Sequence, residues 1–208
     1  MIRQSEPKTT RRSPISAAAC LAVALASAHT AAWSAGSGLS AQDPLERAKA
    51  AAQAFSGQLR GKLQAAMGEG GPVLAVGVCR TEAPAIAEAV MREHGVRLGR
   101  VAMPGRNRNP NQAADGWQLQ ALKDIQKAVD EGAPAAEQVR IYRDDLPADV
   151  ALRMMRGIAT EPVCTSCHGV DMTPEIRDAI ARHYPDDGAT GFAVGDLRGA
   201  LWVEVPAN

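Results

Sequence analysis

Aromatic side chains are scarce in this 208-residue chain: three Trp, two Tyr and two Phe make up 3% of it, although hydrophobic residues as a whole reach 46%. Aromatic residues bury more surface per side chain than other core residues. A core with so few of them is either made of closely packed, alanine-rich helices or built around a group that is not a side chain. Charged residues at 22%, with 19 Gly and 13 Pro, exclude a disordered, collagenous or membrane-embedded chain. The length suits about one soluble globular domain.

Long hydrophobic runs are absent except near the N-terminus. The first 12 residues contain four basic residues and one acidic residue, and the run that follows is uncharged and rich in Ala, Leu and Val. This order is typical of a secretory signal, so we predict a signal peptide at residues 1–35, cleaved between Ala32 and Ala35. Cys20 lies inside the apolar run and would be discarded with it. An uncleaved membrane anchor is the alternative, but the run has many small and polar residues for a membrane span.

Export would change the charge and the cysteine content of the chain. The leader contains four basic residues and one acidic residue, so the mature chain has 19 basic and 22 acidic residues and a net charge of −3. Such a chain has no electrostatic reason to bind nucleic acid or an anionic membrane, and no membrane span remains. We predict a linker at residues 36–42 and a single domain at residues 43–208. Three cysteines remain, Cys79, Cys164 and Cys167, which is an unexpected odd number in an oxidising compartment.

The order Cys164-Thr165-Ser166-Cys167-His168 is the most specific motif in the chain. Two thiols separated by two residues can each form a thioether with a vinyl group of one haem, and the following histidine can then bind the iron. The alternatives are a disulfide and half of a zinc site, but the sequence has no second ligand pair of similar spacing for zinc. A thioredoxin-like motif would begin a helix after a strand, whereas Gly169 and a loop follow here. The sequence therefore predicts one covalently attached haem c.

Hydrophobic periodicity predicts an α+β fold. A capped helix should begin at Asp43-Pro44, continue to about Met67 and end within residues 68–72. The other predicted elements are helices at about Thr81–His94 and Asp115–Glu131 and strands at Val96–Met103, Gln138–Arg143, Ala151–Ile158 and Leu197–Val205. This arrangement is typical of an antiparallel sheet flanked by helices, here with a long N-terminal helix.

The haem iron would need a second axial ligand or an open position. The candidate residues are Cys79, His94, Met103, Met172 and His183. Cys79 precedes the second predicted helix in phase with its apolar face, so it could equally be a small buried hydrophobe. Met172 follows His168 too closely to reach across the haem ring. Cationic partners for the haem propionates are also expected, and the candidates are Arg106, Arg108 and Arg198, although loop arginines are often simply solvated.

Several separated segments resemble the PAS-like c-type haem protein family, found as stand-alone exported proteins and as sensing domains of bacterial histidine kinases. The matching segments are Ala75-Val76-Gly77-Val78-Cys79 with Ala83-Pro84, Arg108-Asn109-Pro110 with Trp117, Pro162 to Gly169, Tyr184-Pro185-Asp186 through Phe192, and Gly195 to Ala200. The resemblance implies a PAS-like antiparallel sheet and a single haem with His168 and Cys79 as the axial ligands. Gln112, Ala114 and Gln118 stand where the family is expected to have Asn, Pro and Glu, which weakens the transfer of a polar network from that loop.

A thiolate ligand donates electron density to iron, so a His/Cys pair should have a lower reduction potential than a His/Met pair. We therefore expect an exported haem c-binding protein that senses redox state or a small gas, or transfers electrons, together with an unidentified redox or signalling partner and without substrate turnover of its own. One alternative is a conventional soluble c-type cytochrome with Met103 or Met172 on the iron. Another is a haem peroxidase with His94 or His183 as the distal acid–base group.

Overall fold

Four strands form one antiparallel sheet in the computed structural model, which describes residues 43–207. The strands are β1 (Arg97–Val101), β2 (Val139–Tyr142), β3 (Val150–Ala159) and β4 (Leu197–Pro206), arranged in the order β1-β4-β3-β2. Every neighbouring pair is antiparallel. With the helices on both sides, this confirms the predicted α+β fold with a PAS-like sheet. The predicted signal peptide and linker lie outside the described residues.

The first helix, α1 (Pro44–His94), turns back on itself at Gly71. This glycine has φ 67° and ψ −163°, the one pair of non-helical dihedral angles within the helix, and Pro72 follows as a residue that starts a helix well. Lys62 Nζ lies 3.2 Å from the Glu82 carboxylate, whereas 20 residues of straight helix would separate these positions by about 30 Å. Two arms, residues 44–70 and 72–94, therefore lie side by side as a helical hairpin.

The hairpin corrects one sequence prediction and confirms another. The predicted end of the first helix within residues 68–72 is confirmed by the turn at Gly71. The predicted start of the second helix at Thr81 was wrong, because the C-terminal arm begins at Pro72 and Cys79 lies inside it rather than before it. Pro84 fits the first turn of a helix that starts at Thr81, whereas in the structure it lies in the middle of the arm and leaves the carbonyl four residues earlier without its usual partner. Burial of the apolar side of the arm stabilises the helix there nonetheless.

The two faces of the sheet are covered by different helices. Successive residues of a strand point to opposite faces, and in β4 the alternation separates Leu201, Val203 and Val205 from Ala200 and Trp202. The first set packs against both arms of α1, together with Ala48, Ala51, Ala52, Phe55, Ile86 and Val90. The second set packs against α2 (Gly116–Asp130), together with Ala121, Leu122 and Ile125. Ala48, Ala51 and Ala52 are at most 2% exposed, so small side chains let the hairpin approach the sheet closely.

A third apolar cluster lies away from the sheet and holds the cysteine motif. It consists of Val76, Met172, Ile176, Ala179, Ile180 and Tyr184, with Cys167 packed against it. Most of these residues come from α4 (Pro174–His183) and its flanks, whereas Val76 comes from the C-terminal arm of α1. The cluster therefore fixes the single-turn helix α3 (Thr165–His168) between the hairpin and α4.

No helix within residues 43–207 is long and apolar enough to cross a membrane.

Candidate functional site

The cysteine motif forms one tight turn whose end requires glycine. A short 3-10 turn over Pro162–Cys164 leads directly into α3. A Cβ atom at Gly169 would lie 2.6 Å from the carbonyl oxygen of Thr165, so a larger residue there would disturb the turn. Cys164 and Cys167 are half-buried free thiols, as is Cys79. The motif thus presents two thiols and an imidazole from a single helical turn.

His168 is held as a neutral imidazole. Its Nδ1 lies 2.7 Å from the carbonyl oxygen of Ala189, so Nδ1–H donates and the lone pair is on Nε2. Burial, and after it the positive charges of Arg198, Arg108 and Arg100, outweigh the Ala189 hydrogen bond, and together they lower the pKa of His168 from 6.5 to about 2. Phe192 packs edge-on against the ring at a centroid distance of 6.4 Å. An oriented neutral imidazole of this kind is suited to bind a metal through Nε2.

Arg198 stands in front of the imidazole. Its Nη1 lies 3.5 Å from His168 Nε2, and its Nε is buried with no hydrogen-bond partner among the described residues. A register shift in the β3–β4 ladder pairs Gly199 with Ile158 and Leu197 with Ala159, which leaves Arg198 unpaired in a β-bulge. Gly199 has φ 155°, and a Cβ atom there would lie 2.4 Å from the carbonyl oxygen of Val101. The bulge therefore depends on this glycine and places an unsatisfied cation at the motif.

Other groups border the same region. Burial lowers the pKa of the Arg198 guanidinium, and negative charge on Cys164 or Cys79 would raise it. The pKa of the Cys167 thiol is raised by burial first and also by the nearby Cys79 and Cys164. Cys79, in the C-terminal arm of α1, thus lies within electrostatic range of Cys167 and of Arg198. Arg80 Nη1 donates to the carbonyl oxygen of His183 at 2.5 Å and ties this part of the arm to the end of α4.

Arg100 is a site residue that sequence reasoning missed. It comes from β1, opposite Leu201 of β4, and its positive charge lowers the pKa of His168 and Arg198. No carboxylate among residues 43–207 pairs with Arg100 or Arg198. The sequence signal that could have located Arg100 is its spacing of two residues from Leu98, which places Arg100 on the hairpin side of the sheet.

The three predicted arginines have different surroundings. Arg106 is exposed and lies over the Phe192 ring, with its guanidinium carbon 4.1 Å from the centroid. Arg106 and Arg198 both line a cavity of about 440 Å³ whose wall also includes Phe192. Arg108 is buried, and its guanidinium is bound to Asp187 and to the carbonyl oxygen of Cys167. The structure therefore brings Arg106 and Arg198 to one cavity and gives Arg108 protein partners instead.

Of the other candidate iron ligands, the two methionines lie near the site, because Met103 lines the cavity of Arg106 and Arg198 and Met172 belongs to the cluster that holds Cys167. Met103 packs against the α2 cluster, and Met172 is 8% exposed within the third cluster. His94 and His183 end α1 and α4 respectively. Within the described part of the chain, no three His, Cys, Asp or Glu side chains are grouped to hold a metal ion. The donors at the motif are one imidazole and thiols.

The comparisons with known proteins agree with this fold. The family model described as Tll0287-like matches residues 15–206. The crystal structure of the cyanobacterial haem-protein Tll0287 is similar at 26% sequence identity and a TM-score of 0.57, covering 80% of this chain and 98% of that chain. No curated protein matches the sequence. The resemblance inferred from the separated segments is thereby confirmed, and the chain belongs to the Tll0287-like family.

Proposed function

We propose that this protein binds one haem at the cysteine motif, through thioethers to Cys164 and Cys167 and through His168 Nε2 on the iron. The observation that carries the proposal is the oriented neutral His168 at the end of the same turn that presents both thiols. The similarity to a cyanobacterial haem-protein supports it independently. Bound iron would supply a one-electron redox centre; the chain's own residues orient and enclose it.

The residues around the motif fit a haem because Arg100 and Arg198 have no carboxylate partner among the described residues, and a haem carries propionate anions. The buried Nε of Arg198 has no partner in the described structure, and propionate oxygens would satisfy it. Its guanidinium also occupies the space in front of His168 Nε2, so it must move aside when that nitrogen binds iron. We assign Arg198 and Arg106, which line one cavity, as propionate partners, with Arg100 as a third nearby cation.

Cys79 is proposed as the second axial ligand. Its position in the C-terminal arm places a half-buried thiol within electrostatic range of Cys167. Among the described residues, this thiol forms no disulfide. Coordination as thiolate would stabilise ferric iron and lower the reduction potential relative to a thioether. This ligand pair favours redox or small-gas sensing, or electron transfer with a protein partner, over substrate turnover. We further propose that the protein is exported through its N-terminal segment.

The test is expression with a haem c maturation system. Haem should remain attached after denaturation, and it should become extractable in Cys164→Ala/Cys167→Ala. Ferric spectra should have a thiolate signature that Cys79→Ala removes and the neighbouring Val78→Ala retains. Protein that matures without haem would overturn the proposal as a whole.

A thiolate signature surviving in Cys79→Ala, or a His/Met spectrum in the wild type, would overturn the ligand assignment alone. In the second case Met172→Ala and Met103→Ala would identify the donor. Peroxidase turnover by the wild type, at a rate unaffected by Cys79→Ala, would contradict the proposal that the protein has no substrate turnover of its own.

A further inference from the structure

Arg108 and Asp187 form a buried ion pair between two loops. Arg108 Nε lies 3.1 Å from Asp187 Oδ1 and Nη2 lies 3.2 Å from Oδ2, so the pair is bidentate. The side chains are only 9% and 8% exposed. Buried ion pairs often add little net stability because both charges must be desolvated. The orientation of neighbouring groups therefore explains the presence of this ion pair better than a gain in stability does.

The ion pair forms hydrogen bonds to the backbone of Cys167 and Ala189, the two residues that set the orientation of His168. Arg108 Nη2 donates to the carbonyl oxygen of Cys167 at 2.6 Å and reaches that of Ala189 at 3.5 Å. Asp187 Oδ1 accepts from the backbone N–H of Ala189 at 2.9 Å. The Ala189 carbonyl is the acceptor for His168 Nδ1 at 2.7 Å. Both the residue preceding the imidazole and the acceptor of its proton are thus fixed by one pair.

The two loops are also joined by a close backbone contact. Gly188 N–H donates to the carbonyl oxygen of Asn107 at 3.0 Å. A Cβ atom at Gly188 would lie 2.1 Å from the carbonyl oxygen of Gly105. This contact holds Arg108 and Asp187 at a fixed separation, so the position of the Ala189 carbonyl depends on both loops.

We propose that Arg108 and Asp187 are positioning residues that set the orientation and the electron donation of the iron ligand His168. The inference rests on the proposed haem site. The positive charge of Arg108 beside the Ala189 carbonyl makes that oxygen a weaker acceptor for Nδ1–H. A weaker acceptor leaves less negative charge on the imidazole, which disfavours ferric iron and raises the reduction potential. Arg108 then acts on the iron through His168 rather than through a propionate.

The experiment compares Arg108→Gln, Arg108→Lys and Asp187→Asn holoproteins with wild type and with Arg182→Gln, which removes an exposed charge on α4. The readouts are haem content, ferric electron paramagnetic resonance and reduction potential. Arg108→Gln should lower the potential and broaden or shift the ferric g values. Arg108→Lys should restore the potential partly but not the g values, because lysine keeps the charge without the bidentate geometry. Arg182→Gln should match wild type.

Two outcomes would overturn the inference. One is an Arg108→Gln holoprotein whose potential and g values equal those of Arg182→Gln. The other is equal loss of potential in Arg108→Gln and Arg108→Lys with unchanged g values, which indicates a purely structural role. If Arg108→Gln takes up no haem, Arg108→Lys and Asp187→Asn decide by the same readouts. Wild type without haem would instead overturn the proposed function.

Discussion

Replacement of Gly71 by alanine should destabilise the protein although the added methyl group meets nothing. No atom lies within 4 Å of a Cβ built at this position, so there is no steric clash to relieve. The whole cost comes from the backbone: φ 67° with ψ −163° is a region that only glycine adopts readily. Residues forced into such regions lose of order 1–3 kcal/mol. We expect Gly71→Ala to lower the free energy of unfolding by about 2 kcal/mol.

Gly61 provides a matched control with the opposite sign. It also lies in α1 with no atom within 4 Å of its Cβ position, but its backbone is helical. Alanine in a helix interior is favoured over glycine by about 0.5–1 kcal/mol. Gly61→Ala should therefore raise the free energy of unfolding by about that amount. The same substitution should thus have opposite effects on stability at two positions of one helix, because the backbone angles of the two positions differ.

Urea unfolding of the two holoproteins, followed by far-ultraviolet circular dichroism, measures both values. Equal stabilities for Gly71→Ala and Gly61→Ala would refute the hairpin, because a straight or gently curved helix would treat the two positions alike.

The Gly71→Ala variant also tests whether the turn positions Cys79. Cys79 lies eight residues after the turn, so Gly71→Ala should weaken the ferric thiolate signature, whereas Gly61→Ala should retain it.

Three further predictions concern the loops and strands around the motif. Arg198→Gln should lower the reduction potential measured by spectroelectrochemistry, because a positive charge in the cavity assigned to the propionates favours the less positive ferrous state; an unchanged potential would contradict its place at the haem. Gly188→Ala should destabilise the protein by about 2 kcal/mol in urea, since its Cβ would overlap the Gly105 carbonyl, and wild-type stability would show that the loops separate freely. Hydrogen bonding to Arg60 lowers the pKa of the Glu161 carboxyl, so the stability from this exposed pair is present at neutral pH and is lost as the pH falls through that lowered pKa. Arg60→Gln should cost less than about 1 kcal/mol at pH 7 and nothing at a pH where Glu161 is protonated, and a pH-independent difference would contradict the pairing.

The strands were predictable because each follows a short local pattern. The apolar run from Ala200 to Val205 located β4 at residues 197–205, and the structure places it at Leu197–Pro206. The cysteine motif was equally visible because its chemistry depends on five consecutive residues. Neither inference requires knowledge of what the segment packs against.

The helical hairpin and the environment of the motif depend on distant contacts, and sequence reasoning missed parts of both. The first turns of the C-terminal arm contain Gly77 and precede Pro84, so they form a weak helix by local preference. They are helical because Ala75 and Val76 are buried, at 1% and 2% exposure. Arg108 looked like a loop cation, and only the approach of Asp187, 79 residues away, reveals a buried ion pair.

Glycine marks three places where a distant segment reaches the site. Gly71 turns the arm that contains Cys79, Gly199 allows the bulge that presents Arg198, and Gly188 permits the loop contact beside Asp187. None of these glycines has a side chain that could act on a cofactor, and sequence reasoning gave a structural role only to the first, as a helix breaker. Their positions imply that the geometry of the site is set mainly by the backbone. Substitutions at these glycines should therefore change the iron environment by moving its ligands and partners, even though every functional side chain is retained.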